Sequence, residues 1–88
     1  MATEDRTALP KMTLYLLANR NATDEELSKL FNIKSIKLYK TAALKIIDAK
    51  TLGEKIDAHL SYYENPSKKS MLIASRLAIQ VYLAQRVK

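Results

Sequence analysis

The sequence has no cysteine and no tryptophan, and its 88 residues include one glycine (Gly53), two prolines (Pro10 and Pro66) and one histidine (His59). The missing cysteine excludes disulfides, thiolate nucleophiles and the soft ligands of structural zinc or iron–sulfur sites. A reducing compartment fits such a chain, and a cytoplasmic location is expected. With the usual hairpin builders and helix breakers almost missing, helix is the default state of the backbone. A lone histidine provides no Ser, His and Asp set, and no glycine-rich phosphate loop is present. No enzyme activity, cofactor or metal is therefore expected.

Long apolar runs are missing too. The most apolar stretch, Met71 to Val87, is broken by Ser75, Arg76, Gln80, Gln85 and Arg86, well short of the roughly 20 mostly apolar residues of a spanning helix. No membrane segment is expected. The N-terminal MATEDRTALPK opens with acids and lacks a continuous apolar stretch, so no secretory signal is expected either.

What remains is 48% apolar, enough for one core at a length that leaves no room for a second. The expected fold is all-α, a single compact bundle of four to five helices over residues 1–88, with residues 1–6 flexible. The charge is unevenly spread. Residues 1–30 carry four basic and five acidic side chains, residues 31–88 eleven basic and four acidic, which together give the net charge of +6. Four lysines and no acid lie between Asn32 and Ile47, a stretch that attracts phosphates or an acidic protein surface.

The first helix is predicted from about Thr7, with Pro10 in its first turn and Leu14, Leu17 and Ala18 on one face. Thr23 and Glu26 have capping-box spacing and start a short helix running from Asp24 to Phe31. In the turn Asn32-Ile33-Lys34-Ser35, Asn32 suits a left-handed backbone, and Ser35 is placed to cap a long helix reaching about Ala49. Thr51 and Glu54 repeat the box ahead of a helix whose apolar stripe is Leu52, Ile56, Leu60 and Tyr63. Asn65-Pro66 reads as the cap and first position of the last helix. Its apolar residues surround most of the circumference (Leu72, Ile73, Leu77, Ile79, Val81, Tyr82, Leu83, Val87). That pattern implies a helix central to the bundle, or one packed on a second copy as a homodimer through residues 71–87.

Residues 24–41 carry an aliphatic residue, a small one directly after it, an apolar one three further on, then a turn and another aliphatic: Leu27, Ser28, Phe31, Asn32 and Ile33, followed by Leu38. The run resembles a helix-turn-helix of the repressor type. The resemblance implies that Ser28 lets two helices approach, that Phe31 and Ile33 bury the corner, that Leu38 is the aliphatic of the second helix, and that this helix enters a DNA major groove as part of a transcription regulator. Asn32 stands where glycine is commonest in that class, and Thr41 where a final aliphatic residue is usual.

At about 100° per residue, Lys34, Lys37, Lys40 and Lys45 fall within an arc of roughly 140°, with Ile36, Tyr39, Ala43, Ile46 and Ile47 opposite. The candidate nucleic-acid-binding set is therefore Lys34, Ser35, Lys37, Lys40, Thr41 and Lys45. Lysines supply phosphate contacts rather than strong base readout. Lys68, Lys69 and Arg76 form a second basic patch. Tyr62 is off its helix's apolar stripe and is the one aromatic candidate for stacking on bases. Asp24, Glu25 and Glu26 are accounted for by the positive end of a helix dipole, and His59 reads as a surface or half-buried structural residue.

Two functional readings follow. One is a small DNA-binding regulator that uses the lysine face. The other is a helical adaptor, inhibitor or immunity-type module that captures an acidic protein partner through the same face. The second draws on Leu38 and Leu44, which fall near the lysine side of the wheel.

Overall fold

Five stretches of the chain satisfy the helical pattern, and in the computed structural model they are α1 (Ala8–Ala18), α2 (Asp24–Leu30), α3 (Ile36–Asp48), α4 (Leu52–Leu60) and α5 (Lys68–Arg86). The structure describes residues 8–63 and 65–86. The expected helix start at Thr7, the flexibility of residues 1–6 and the contribution of Val87 lie outside them. All-α architecture is as expected, and no strand occurs among the described residues.

The middle of the bundle is α3, which packs against α1, α2 and α4, while α5 packs on α4 and, less extensively, on α1. One core joins Leu9, Met12 and Leu16 of α1, Leu27 of α2, Ile36, Tyr39, Ala43, Ile46 and Ile47 of α3, and Leu77 and Val81 of α5. The expectation that the last helix is central is thus replaced by α3. The dimensions are 34 × 30 × 14 Å. Packed helix axes lie 8–10 Å apart, so a slab 14 Å thick cannot enclose an element on all sides, and an apolar helix in it keeps an open face.

Several local expectations change in detail. In α1 the buried stripe is Leu9, Met12, Thr13 and Leu16 rather than Leu14, Leu17 and Ala18. Both faces are apolar enough to be chosen, and Thr13 tolerates burial because its hydroxyl donates to the Leu9 carbonyl at 2.7 Å. At the start of α2 the Thr23 hydroxyl accepts from the Glu26 N–H, and at α4 the Thr51–Glu54 box is complete in both directions. No residue other than glycine has positive φ among those described, so Asn32 turns the chain without the left-handed conformation. Ile33 N–H donates instead to the Phe31 carbonyl at 3.0 Å. Ser35 occupies the cap position of α3, but its hydroxyl makes no capping bond. The last helix begins at Lys68, two residues beyond Pro66, because the Ser67 hydroxyl accepts from the Ser70 N–H at 3.2 Å.

The largest departure is in α4, where the fully buried residues are Lys55 and His59 while Leu52, Ile56 and Leu60 are half-buried. The α3 helix ends at Asp48 with no glycine or asparagine to turn its last carbonyls. Lys55 does this work. Its ammonium donates to the carbonyls of Ile46 at 3.0 Å, Ile47 at 2.9 Å and Ala49 at 2.6 Å. Removal from water lowers the Lys55 pKa, and Asp48 and Glu54 partly oppose that shift. Gln85 of α5 adds an amide N–H to the Ile47 carbonyl at 3.0 Å.

His59, expected at or near the surface, is fully buried one turn further along α4. Its Nε2 lies 3.3 Å from the Tyr63 hydroxyl, whereas Nδ1 is buried without a hydrogen-bond partner. Burial pushes its pKa down to about 4.

Candidate functional site

The outward side of α3 is displayed by its inward side. Ile36, Tyr39, Ala43, Ile46 and Ile47 are buried, which turns Lys37, Leu38, Thr41 and Lys45 to solvent at the helical interval. Lys34 and Ser35, in the connection ahead of the helix, are exposed as well. Five of the six candidate contact residues therefore share one open face.

Lys40 is the exception. It sits at the edge of the arc and is half-buried, and its ammonium donates to the Ala22 carbonyl at 3.0 Å and pairs with Asp24 at 3.3 Å. It ties the start of α2 to α3, so its charge is already neutralised within the fold. At the other end of α3, Asp48 is held by Arg20 through two contacts at 2.8 and 2.9 Å. Hydrogen bonding to Arg20 holds the Asp48 carboxyl below its ordinary pKa. Asp48 and Asp24 are thus engaged by cations other than Lys34, Lys37 and Lys45.

Leu38 lies in the middle of this face at 57% exposure. It borders an open groove of about 460 Å³ between α2 and the start of α3, lined also by Ser28, Ile33, Lys34, Ser35 and Lys37 and by Asp24, the carboxylate paired with Lys40. On its other side is a smaller cleft of about 130 Å³ toward α4, lined by Thr41, Ala42, Lys45, Ala58 and Tyr62. Leu44, by contrast, is half-buried against the core.

The positions that carry the helix-turn-helix resemblance divide between the core and the open face. Leu27 is buried, and Phe31 and Ile33 pack on the core, with Phe31 edge-on to Tyr15 at 6.2 Å. Ser28, Leu38 and Thr41 face solvent. The contact between α2 and α3 is made by Leu27 and by the Lys40 link, and Leu38, the aliphatic of the second helix, is the exposed centre of the site.

Tyr62, the expected stacking residue, is half-buried. Its ring meets Tyr39 edge-on at 5.1 Å and Tyr63 at 5.4 Å, and it forms a wall of the smaller cleft rather than a free platform. Lys68, Lys69 and Arg76 are exposed on α5, a helix that reaches α3 through Gln85. Among the described residues, no group of three or more histidine, aspartate or glutamate side chains could hold a metal ion, and no helix is long and apolar enough to cross a membrane.

Comparison with protein-family models, curated proteins and solved structures finds no match. The functional reading accordingly rests on this geometry.

Proposed function

We propose that this chain is a helical protein-interaction module that captures an acidic partner on the outward face of α3. The observation that carries the reading is Leu38, 57% exposed among Lys34, Lys37 and Lys45 and standing between two depressions. Protein interfaces combine an apolar anchor with a polar, charged rim. A leucine at the centre of a groove-reading helix gains little from phosphates, and of the side chains that make bidentate base contacts α3 has lysine but no arginine, asparagine or glutamine. The positive end of the α3 dipole, with Lys34 and Lys37 beside it, favours a carboxylate at the groove.

Nucleic-acid binding is the second reading, favoured by the same lysines acting on phosphates. A photo-crosslinking residue placed at position 38 separates the two. The interaction reading expects a discrete protein adduct in cells, a complex reconstituted from the purified partner, and loss of that complex in Leu38→Asp. Nuclease-sensitive adducts, or a Leu38→Ser variant that keeps full partner affinity, would sink it.

A further inference from the structure

The face of α5 turned away from the bundle carries a second docking surface. Ser70, Ala74, Leu77, Ala78 and Val81 are buried, so small side chains dominate the packed side. The large ones point out: Met71, Leu72, Ile79 and Leu83 are between 45% and 55% exposed. Positions 72, 76, 79, 83 and 86 follow one another at alternating intervals of four and three, the spacing of a coiled-coil seam, and are occupied by Leu, Arg, Ile, Leu and Arg. Leu72, Ile79 and Leu83 fall within roughly 40° on the helix and span about 16 Å of its length.

The charge on this helix selects the occupant. α5 contains Lys68, Lys69, Arg76 and Arg86 and no acidic residue. Arg86 lies over the Tyr82 ring at 5.5 Å and donates to its hydroxyl at 3.3 Å, while Arg76 stands in the seam itself, between Leu72 and Ile79. A cation at a seam position costs stability unless a carboxylate meets it across the interface. A second copy of α5 has none to offer in either orientation and would bring the same four cations against these. A lipid surface prefers a broad apolar face with cations at its margins, whereas here Arg76 stands inside the face, between Leu72 and Ile79. We infer that the outward seam of α5 pairs with an acidic amphipathic helix of another protein, which places leucine or isoleucine at heptad spacing and a carboxylate opposite Arg76. The inference stands apart from the role of α3, since it involves different residues on a different helix.

The test uses the full chain and a synthetic helical peptide with a leucine/isoleucine seam, flanking glutamates and one glutamate set to face Arg76, titrated by calorimetry at physiological salt. The protein alone should be a monomer by light scattering and should bind the peptide. Replacing the peptide's glutamates by glutamine should weaken binding about tenfold or more, as should Arg76→Glu or Ile79→Glu in the protein. A peptide with lysine opposite position 76 should restore affinity for Arg76→Glu. The triple variant Lys34→Glu, Lys37→Glu, Lys45→Glu should bind the peptide within about twofold of the parent, because screening confines surface charges to about 8 Å. That arm keeps failure of this inference distinct from failure of the α3 reading. Circular dichroism verifies that each variant is folded, and the substituted side chains are all exposed. Overturning results are a dimer that Ile79→Glu splits, equal affinity for the glutamate and glutamine peptides, no peptide binding, or binding that occurs only on phosphatidylserine-containing vesicles.

Discussion

Acidification should destabilise this protein through one side chain. His59 is neutral in the fold because its ring is buried and Nδ1 has no acceptor nearby to receive a proton's hydrogen bond. The imidazolium carries both N–H groups, and only the one on Nε2 has an acceptor, the Tyr63 hydroxyl, so the N–H on Nδ1 is left buried and unsatisfied. The folded pKa is pushed down to about 4 from the ordinary value of 6.5, so the unfolded chain binds the proton more tightly. The associated stability is complete above pH 6.5 and is lost as the pH falls from there toward 4. The gap corresponds to about 3 kcal/mol at pH 4 and about 2 kcal/mol at pH 5. Against a typical domain stability of 5–15 kcal/mol, that is a large share. The paired carboxylate of Asp48, held below its ordinary value, contributes at more acid pH. His59→Phe keeps an aromatic ring of similar size and removes the titration. Urea unfolding of both proteins at pH 7.5, 6, 5 and 4.5 should show the parent losing stability relative to the variant across this range, with the His59 ring signal in NMR unchanged until below pH 5. A constant difference between the two proteins from pH 7.5 to 4.5 would refute the reasoning.

Other expectations follow from specific contacts. Lys55→Met keeps the stem but removes the donor to three carbonyls; it should cost about 2–4 kcal/mol in urea unfolding and speed hydrogen exchange in the last turn of α3. Thr51→Ala removes one half of the α4 capping box and should cost about 1 kcal/mol, seen as a thermal midpoint lower by about 4–8 °C for a domain of this size. Lys40→Met should lower stability by about 1 kcal/mol and leave affinity for an acidic partner unchanged, whereas Lys37→Glu should do the reverse; equal effects of the two on binding would show that Lys40 is not spent on Asp24.

The helices were legible because their signals are local. Thr23–Glu26 and Thr51–Glu54 mark starts by spacing alone, and the lysine arc of α3 follows from a fixed rotation per residue. Burial was less legible, because it depends on partners distant in the chain. In α1 two apolar faces compete, and the choice is made by how α3 and α5 approach. In α4 the chain offers leucines and isoleucine, yet buries a lysine and a histidine. The available signal was the unfinished end of α3: a helix that stops without glycine or asparagine needs donors from elsewhere, and Lys55 follows within one turn of the next helix. Leu38 shows the same limit at the site. Its place near the lysines was visible, but the two depressions that flank it are walled by residues of α2 and α4 that only the fold brings to it.

The clamping of α3 has a consequence for recognition. Lys40 fastens its first half to the Ala22 carbonyl and Asp24, and Lys55, Gln85 and Arg20 fasten its end. A partner arriving at Lys34, Lys37, Leu38 and Lys45 meets a backbone that is already ordered, so it forfeits mainly the rotamer freedom of a few side chains, on the order of 0.5–1.5 kcal/mol each. Affinity at this face should respond to the partner's own rigidity more than to any stiffening of α3.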